Sequence, residues 1–101
     1  MYFLFRLLAP RPSFPGDMTP EEGALMQAHA AYWSGLMAQG RVVGFGPVAD
    51  PRGVYGLCIF QAPDAEAAAA LLGGDPVLAA GRGFGSELHP MLGCSHPGGA
   101  A

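Results

Sequence analysis

Apolar positions recur along this chain in two rhythms, and the slower one marks its centre. Between Thr19 and Gly40 the positions Leu25, His29, Tyr32 or Trp33, and Leu36 follow at three- and four-residue steps, which puts them on one face of a helix. Both helix ends are signalled. Thr19 is a good N-cap, Pro20 suits the first helical position, and Glu22 stands where a capping-box partner belongs. Glu21 and Glu22 also suit the positive end of the helix dipole, and Gly40 is a natural stop. Gly23 and Gly35 weaken the helix by roughly 1 kcal/mol each relative to alanine. One position breaks the stripe. Where leucine would be ordinary stands His29, whose two ring nitrogens each need a partner.

The faster rhythm predicts strands. Tyr2 to Ala9 is apolar on both faces, with Phe3, Phe5 and Leu7 on one and Tyr2, Leu4 and Leu8 on the other, interrupted by Arg6. Such a strand is central, or belongs to a sheet covered on both sides. Pro10 to Asp17, with three prolines and a glycine, is a loop. Arg41 to Gly46 is a second strand ending at Gly46-Pro47. Ala49 to Gly53 is a turn, and Val54 to Gln61 is a third strand, giving a hairpin. Asp64 caps an alanine-rich helix, Glu66 to Leu72, which Gly73-Gly74 ends. Asp75 caps a further turn, Pro76 to Ala80. Phe84 to Met91 is the fourth strand, and Pro90 assigns it to an edge or a strand end. Residues 1–92 thus form one domain, and the aperiodic residues 93–101 read as a flexible, loosely attached tail.

Strand, helix, strand, strand, helix, strand is the order of the ferredoxin-like α+β sandwich, with both helices on one face of an antiparallel sheet. The other face, with Tyr2, Leu4, Leu8 and half of the third strand, is too apolar to stay wet. Composition strengthens that point. Half of the 101 residues are hydrophobic and only 13% are charged, about half the usual share of roughly 25%. Burial of the outer face against a second copy, a homodimer, is therefore expected.

Charge removes other classes. The net charge is −3, lysine is absent and five arginines are scattered, so there is no basic stripe for nucleic acid. Met1 to Ala9 is too short to span a membrane and lacks a basic leader, so neither a signal peptide nor a membrane segment is expected. Cys58 and Cys94 have no metal or redox spacing and read as free thiols of a reducing, cytoplasmic compartment.

Candidate chemistry centres on His29 and Asp75. They are far apart in sequence, but the topology sets both helical segments over one sheet face, and a carboxylate at the Asp75 break could orient the imidazole. The residues alone also allow a core histidine and a plain helix cap. Gly44-Phe45-Gly46-Pro47 leads into a turn rather than a helix, so it is no phosphate loop. It reads as a strand end where the backbone passes close to something, a substrate included. Arg6, Glu87 and His89 form a candidate ion-pair cluster. His29, His89 and His96 have no metal-ligand spacing, so no metal and no cofactor are expected. No serine lies in a nucleophile motif.

The segments Gln27-Ala28-His29, Gly44-Phe45-Gly46-Pro47, Gly74-Asp75-Pro76-Val77 with Gly81, and Glu87-Leu88-His89-Pro90, in this order and spacing, resemble the YciI-like (YCII-related) family over about residues 1–92. The resemblance implies a dimeric α/β-barrel variant of the ferredoxin-like fold, with His29 and Asp75 as an acid–base pair. It also implies lyase-type dehydrochlorination of aromatic compounds as one activity found in such proteins. The long loop Pro10 to Asp17 departs from the family pattern and would reshape the mouth of a pocket. The expected function is a cofactor-independent acid–base enzyme, of lyase or isomerase type, acting on a small molecule, aromatic compounds included. Trp33, Phe45, Gly46, Pro47 and Tyr55 are expected to line its pocket. The rival is a non-catalytic dimeric module that binds a small ligand or assists an enzyme, in which His29 and Asp75 do not meet.

Overall fold

A computed structural model gives the fold and describes residues 1–100. Its elements are β1 (Tyr2–Leu8), α1 (Pro20–Ala38), β2 (Val42–Val48), β3 (Tyr55–Gln61), α2 (Ala65–Gly73), α3 (Pro76–Ala79), β4 (Gly85–Pro90), β5 (Ser95–His96) and β6 (Gly99–Ala100). The first four long strands form one antiparallel sheet in the order β2-β3-β1-β4. This is the ferredoxin-like α+β sandwich. The two-faced strand β1 is central, as its composition requires. Pro90 sits on the edge strand β4, and Pro47 on the opposite edge β2, where a missing N–H costs no ladder bond. That tolerance lets β2 run on to Val48, past the Gly46-Pro47 position where it was expected to end. A register shift between Val42 and Gly44 adds a bulge.

Alternation along β1 sends Phe3, Phe5 and Leu7 into the core, where they meet Trp33 of α1, Cys58 and Phe60 of β3, Leu72 of α2 and Val77 of α3. Phe3, Phe60, Trp33 and Val77 are fully buried. Helix α1 starts as its sequence dictates. The Thr19 hydroxyl accepts the Glu22 N–H, and the Glu22 carboxylate accepts the Thr19 N–H at 3.0 Å. After Gln39, Gly40 takes a φ of 79°, a conformation that favours glycine.

The tail differs from expectation. Instead of a loose end, Ser95–His96 and Gly99–Ala100 pair as a small hairpin, and Cys94 is buried. The Tyr2 hydroxyl bonds His96 Nε2 at 2.6 Å and also accepts from the Gln61 amide. A clip built on one aromatic hydroxyl leaves no periodic pattern, which is why composition alone suggested looseness. The hairpin covers the Tyr2 end of the outer sheet face, where Tyr2 is buried. Leu4, Leu57 and Ile59 on the rest of that face are half-buried. Among the described residues no helix is long and apolar enough to cross a membrane.

Candidate active site

His29 and Trp33 stand one helical turn apart on α1, so both side chains descend on the same side toward the sheet. Asp75 arrives from the other direction. Gly73 and Gly74 end α2, and Asp75 caps α3, with Oδ1 accepting the Val77 N–H at 3.1 Å. Its Oδ2 lies 2.6 Å from His29 Nδ1 and 2.8 Å from Trp33 Nε1. The carboxyl group is fully buried. A buried carboxylate is tolerated only when donors surround it. With Trp33 and the Val77 amide both donating, Asp75 is the acceptor. Nδ1 of His29 therefore carries the proton in the neutral ring, and Nε2 is the basic nitrogen. Nε2 makes no hydrogen bond among the described residues.

The surroundings reinforce this polarity. Burial first, and then the Asp75 charge, pushes the Cys58 thiol up to about 12, so this cysteine stays protonated. Burial and Asp75 also raise the Tyr32 phenol, against a smaller opposing effect of Arg41. The Tyr32 hydroxyl donates to the Leu71 carbonyl at 2.7 Å. Gly74 lies directly beneath it, and a Cβ there would sit 2.6 Å from the Tyr32 oxygen. That close approach brings the α2–α3 break, and Asp75 with it, against α1.

A cavity of about 280 Å³ opens beside His29, near the lower end of small-molecule pockets, which run from roughly 300 Å³ upward. Phe45, Gly46 and Pro47 are among the residues that line it. The Phe45 ring meets the imidazole edge-on at 89°, with centroids 6.5 Å apart. The two glycines of this segment do not serve a close protein contact, since a Cβ at Gly44 or Gly46 would meet nothing within 4 Å. Tyr55 borders the cavity, but its ring lies under the Arg6 guanidinium at 4.1 Å, on the outer face that Tyr55 shares with its cross-strand neighbour Leu8. Trp33 is a correction. It was expected as a pocket wall, yet it is fully buried beneath the site and does not line the cavity. The helical period alone could not separate Tyr32 from Trp33, and the indole N–H is spent on Asp75.

Other lining residues were missed. Phe14, Pro15 and Met18 come from the proline-rich segment, Met26 from α1 and Phe84 from the stretch before β4. Met26 could have been found, because it lies three residues before His29 on the same helix face. The Arg6 cluster does assemble, with Arg6 bonded to Glu87 at 2.9 Å and His89 3.8 Å from the same oxygen, but away from the cavity. Among the described residues no group of three or more His, Cys, Asp or Glu side chains is placed to hold a metal ion.

The model of the YCII-related domain matches residues 4–91. The chain belongs to the YCII-related family. Solved structures with the same fold include the 5-chloro-2-hydroxyhydroquinone dehydrochlorinase TftG from Burkholderia phenoliruptrix AC1100, in complex with 2,5-dihydroxybenzoquinone. It is 22% identical at a TM-score of 0.63, over 90% of this chain and 93% of that one. Muconolactone isomerase is 21% identical at a TM-score of 0.63, over 96% of this chain and 92% of that one. At such identities the likeness concerns the fold. No curated protein matches the chain. Within the YCII-related fold of this chain, His29 borders the cavity, and the Asp75 carboxylate is bonded to its ring from the α2–α3 break.

Proposed function

We propose that this protein is a cofactor-independent acid–base enzyme, of lyase or isomerase type, acting on a small molecule, aromatic compounds included, held in the cavity beside His29. The observation that carries the reading is the 2.6 Å contact between His29 Nδ1 and the buried Asp75 carboxylate, made where the ring borders an apolar cavity. In this reading Nε2 of His29 takes a proton from a ring carbon or hydroxyl of the substrate, and the imidazolium returns it at a neighbouring position or to a leaving group. Asp75 is a positioning residue. It holds the productive tautomer and stabilises the imidazolium that forms. The apolar walls keep water from the exchanged proton. The activities for which the two similar structures are named, a dehydrochlorinase and an isomerase, both involve proton transfer and agree with this class. A non-catalytic binding module has no use for a carboxylate aligned on a cavity-facing imidazole, so the 2.6 Å contact supports the enzyme reading over it.

Dimerisation through the outer face of the sheet, with Leu4, Leu57 and Ile59 buried between copies, belongs to the same proposal, as does a cytoplasmic setting for the two free thiols. Light scattering tests the dimer directly. The enzyme reading is tested with chlorinated hydroquinones and unsaturated lactones. The parent chain turns over a member of this panel, and His29→Gln loses about 10²- to 10⁴-fold of that rate while keeping its fold. Equal turnover by the variant, or binding without any proton transfer, would leave a ligand-binding or accessory module.

A further inference from the structure

The proline-rich segment is more tightly built than a loop of its composition requires. Arg11 makes a two-pronged bond to Glu22, with both N–O distances 2.7 Å. Its Nε reaches both Asp17 oxygens at 3.0 Å, and the Ser13 hydroxyl donates to Asp17 at 2.6 Å. Glu22 is also the capping-box residue of α1, so the segment is tied to the start of the helix that carries His29. At the other side Pro10 packs on Gly83, whose Cβ would lie 3.4 Å from the Pro10 ring, and Phe14 stands edge-on to Phe84 with centroids 5.3 Å apart. The result is a strap fastened at both ends. Its inner surface, Phe14, Pro15 and Met18, is a wall of the cavity.

The outer surface of the strap is different. A groove there is lined by Arg6, Arg11 and Arg52, and each guanidinium is bonded to a carboxylate: Glu87, Glu22 with Asp17, and Asp50. Among the described residues no arginine, aspartate or glutamate lines the cavity itself. An anionic ligand would be stripped of water there with no cation to meet it, apart from His29 at the reacting end.

We infer that residues 10–18 form the ligand-selecting wall of this cavity, and that the wall selects uncharged aromatic molecules by size through Phe14 and Met18. The inference rests on the cavity being the ligand site proposed above, though not on any reaction there. Calorimetric titration of the full chain with phenol, 2-naphthol and benzoate at neutral pH tests it, with the His29 ring signal in NMR locating the binding. Phenol and 2-naphthol are expected to bind and perturb His29, with benzoate about tenfold weaker or worse. Phe14→Ala and Met18→Ala each shift the preference toward 2-naphthol by about fivefold or more. Met18 is partly exposed at 39%, so its variant preserves the test should Phe14→Ala not fold. An unchanged preference in a folded variant, benzoate binding as tightly as phenol, or failure of both neutral probes to perturb His29 would each overturn the inference. Binding as stated without proton transfer sinks only the acid–base reading. Turnover with an unaltered preference in a folded variant sinks only the selecting wall.

Discussion

Trp33→Phe probes the centre of the site without touching the cavity. The substitution removes the Nε1–H that reaches Asp75 Oδ2 at 2.8 Å. It keeps a six-membered ring near Phe60, Tyr32 and Phe5, now 5.1, 5.3 and 5.6 Å from the indole. A hydrogen bond to a charged group contributes about 1.5–3 kcal/mol. Adding the packing lost with the smaller ring, the variant should be about 2–4 kcal/mol less stable. At about 4–8 °C per kcal/mol, a domain of this size should melt many degrees earlier. The single variant mixes two effects, so the bond is isolated by a cycle with Asp75→Asn. Asparagine still accepts from the indole, but a neutral bond is roughly half as strong as a charge-assisted one. The coupling between the two sites should therefore be about 0.8–1.5 kcal/mol. Urea unfolding of the four proteins measures it. Additivity within about 0.5 kcal/mol would mean that the Trp33 N–H does not hold the Asp75 carboxylate, and the case for an ordered His29 tautomer would fall with it.

The strap should be acid-sensitive. Bonding to Arg11 lowers the Glu22 carboxyl from 4.5 to about 2, so the clamp's stabilisation is fully present above the ordinary carboxylate range and is lost as pH falls through about 2. Amide exchange at Phe14 and Met18, which bond the Arg11 and Pro15 carbonyls, should quicken over that window, and Arg11→Gln should make it fast already at neutral pH. The two glycines that end α2 should part company. Gly74→Ala drives a methyl into the Tyr32 hydroxyl and should cost about 1–3 kcal/mol in thermal or urea melts, whereas Gly73→Ala meets nothing within 4 Å and should be neutral or stabilising by up to about 1 kcal/mol. Equal costs at Gly73 and Gly74 would contradict the tight α1–α2 approach.

What was legible in the sequence was whatever a short stretch specifies by itself. Thr19, Pro20 and Glu22 announce the start of α1 because a capping box is local chemistry. The two apolar faces of β1 announce its central place, and Asp75 before Pro76 announces a cap. Pairings across long separations were less visible. His29 and Asp75 could be proposed as partners from topology and resemblance, but the third member, Trp33, was read as a cavity wall because a helical period cannot tell which of two adjacent aromatics points inward. Arg11 gave no sign that it would reach Glu22, so the proline-rich segment read as a loop when it is a fastened wall. The tail was hidden for the same reason. A single bond from Tyr2 to His96, 94 residues apart, leaves no periodic trace.

The most direct test is nitrogen NMR of the His29 imidazole, recorded above the ordinary titration range of histidine. The geometry predicts a protonated Nδ1 with a strongly downfield proton, an unprotonated Nε2, and a shift of Nε2 when phenol enters the cavity. A ring protonated at Nε2 instead, or an Nε2 signal indifferent to phenol, would contradict the claim that His29 offers a base to this cavity.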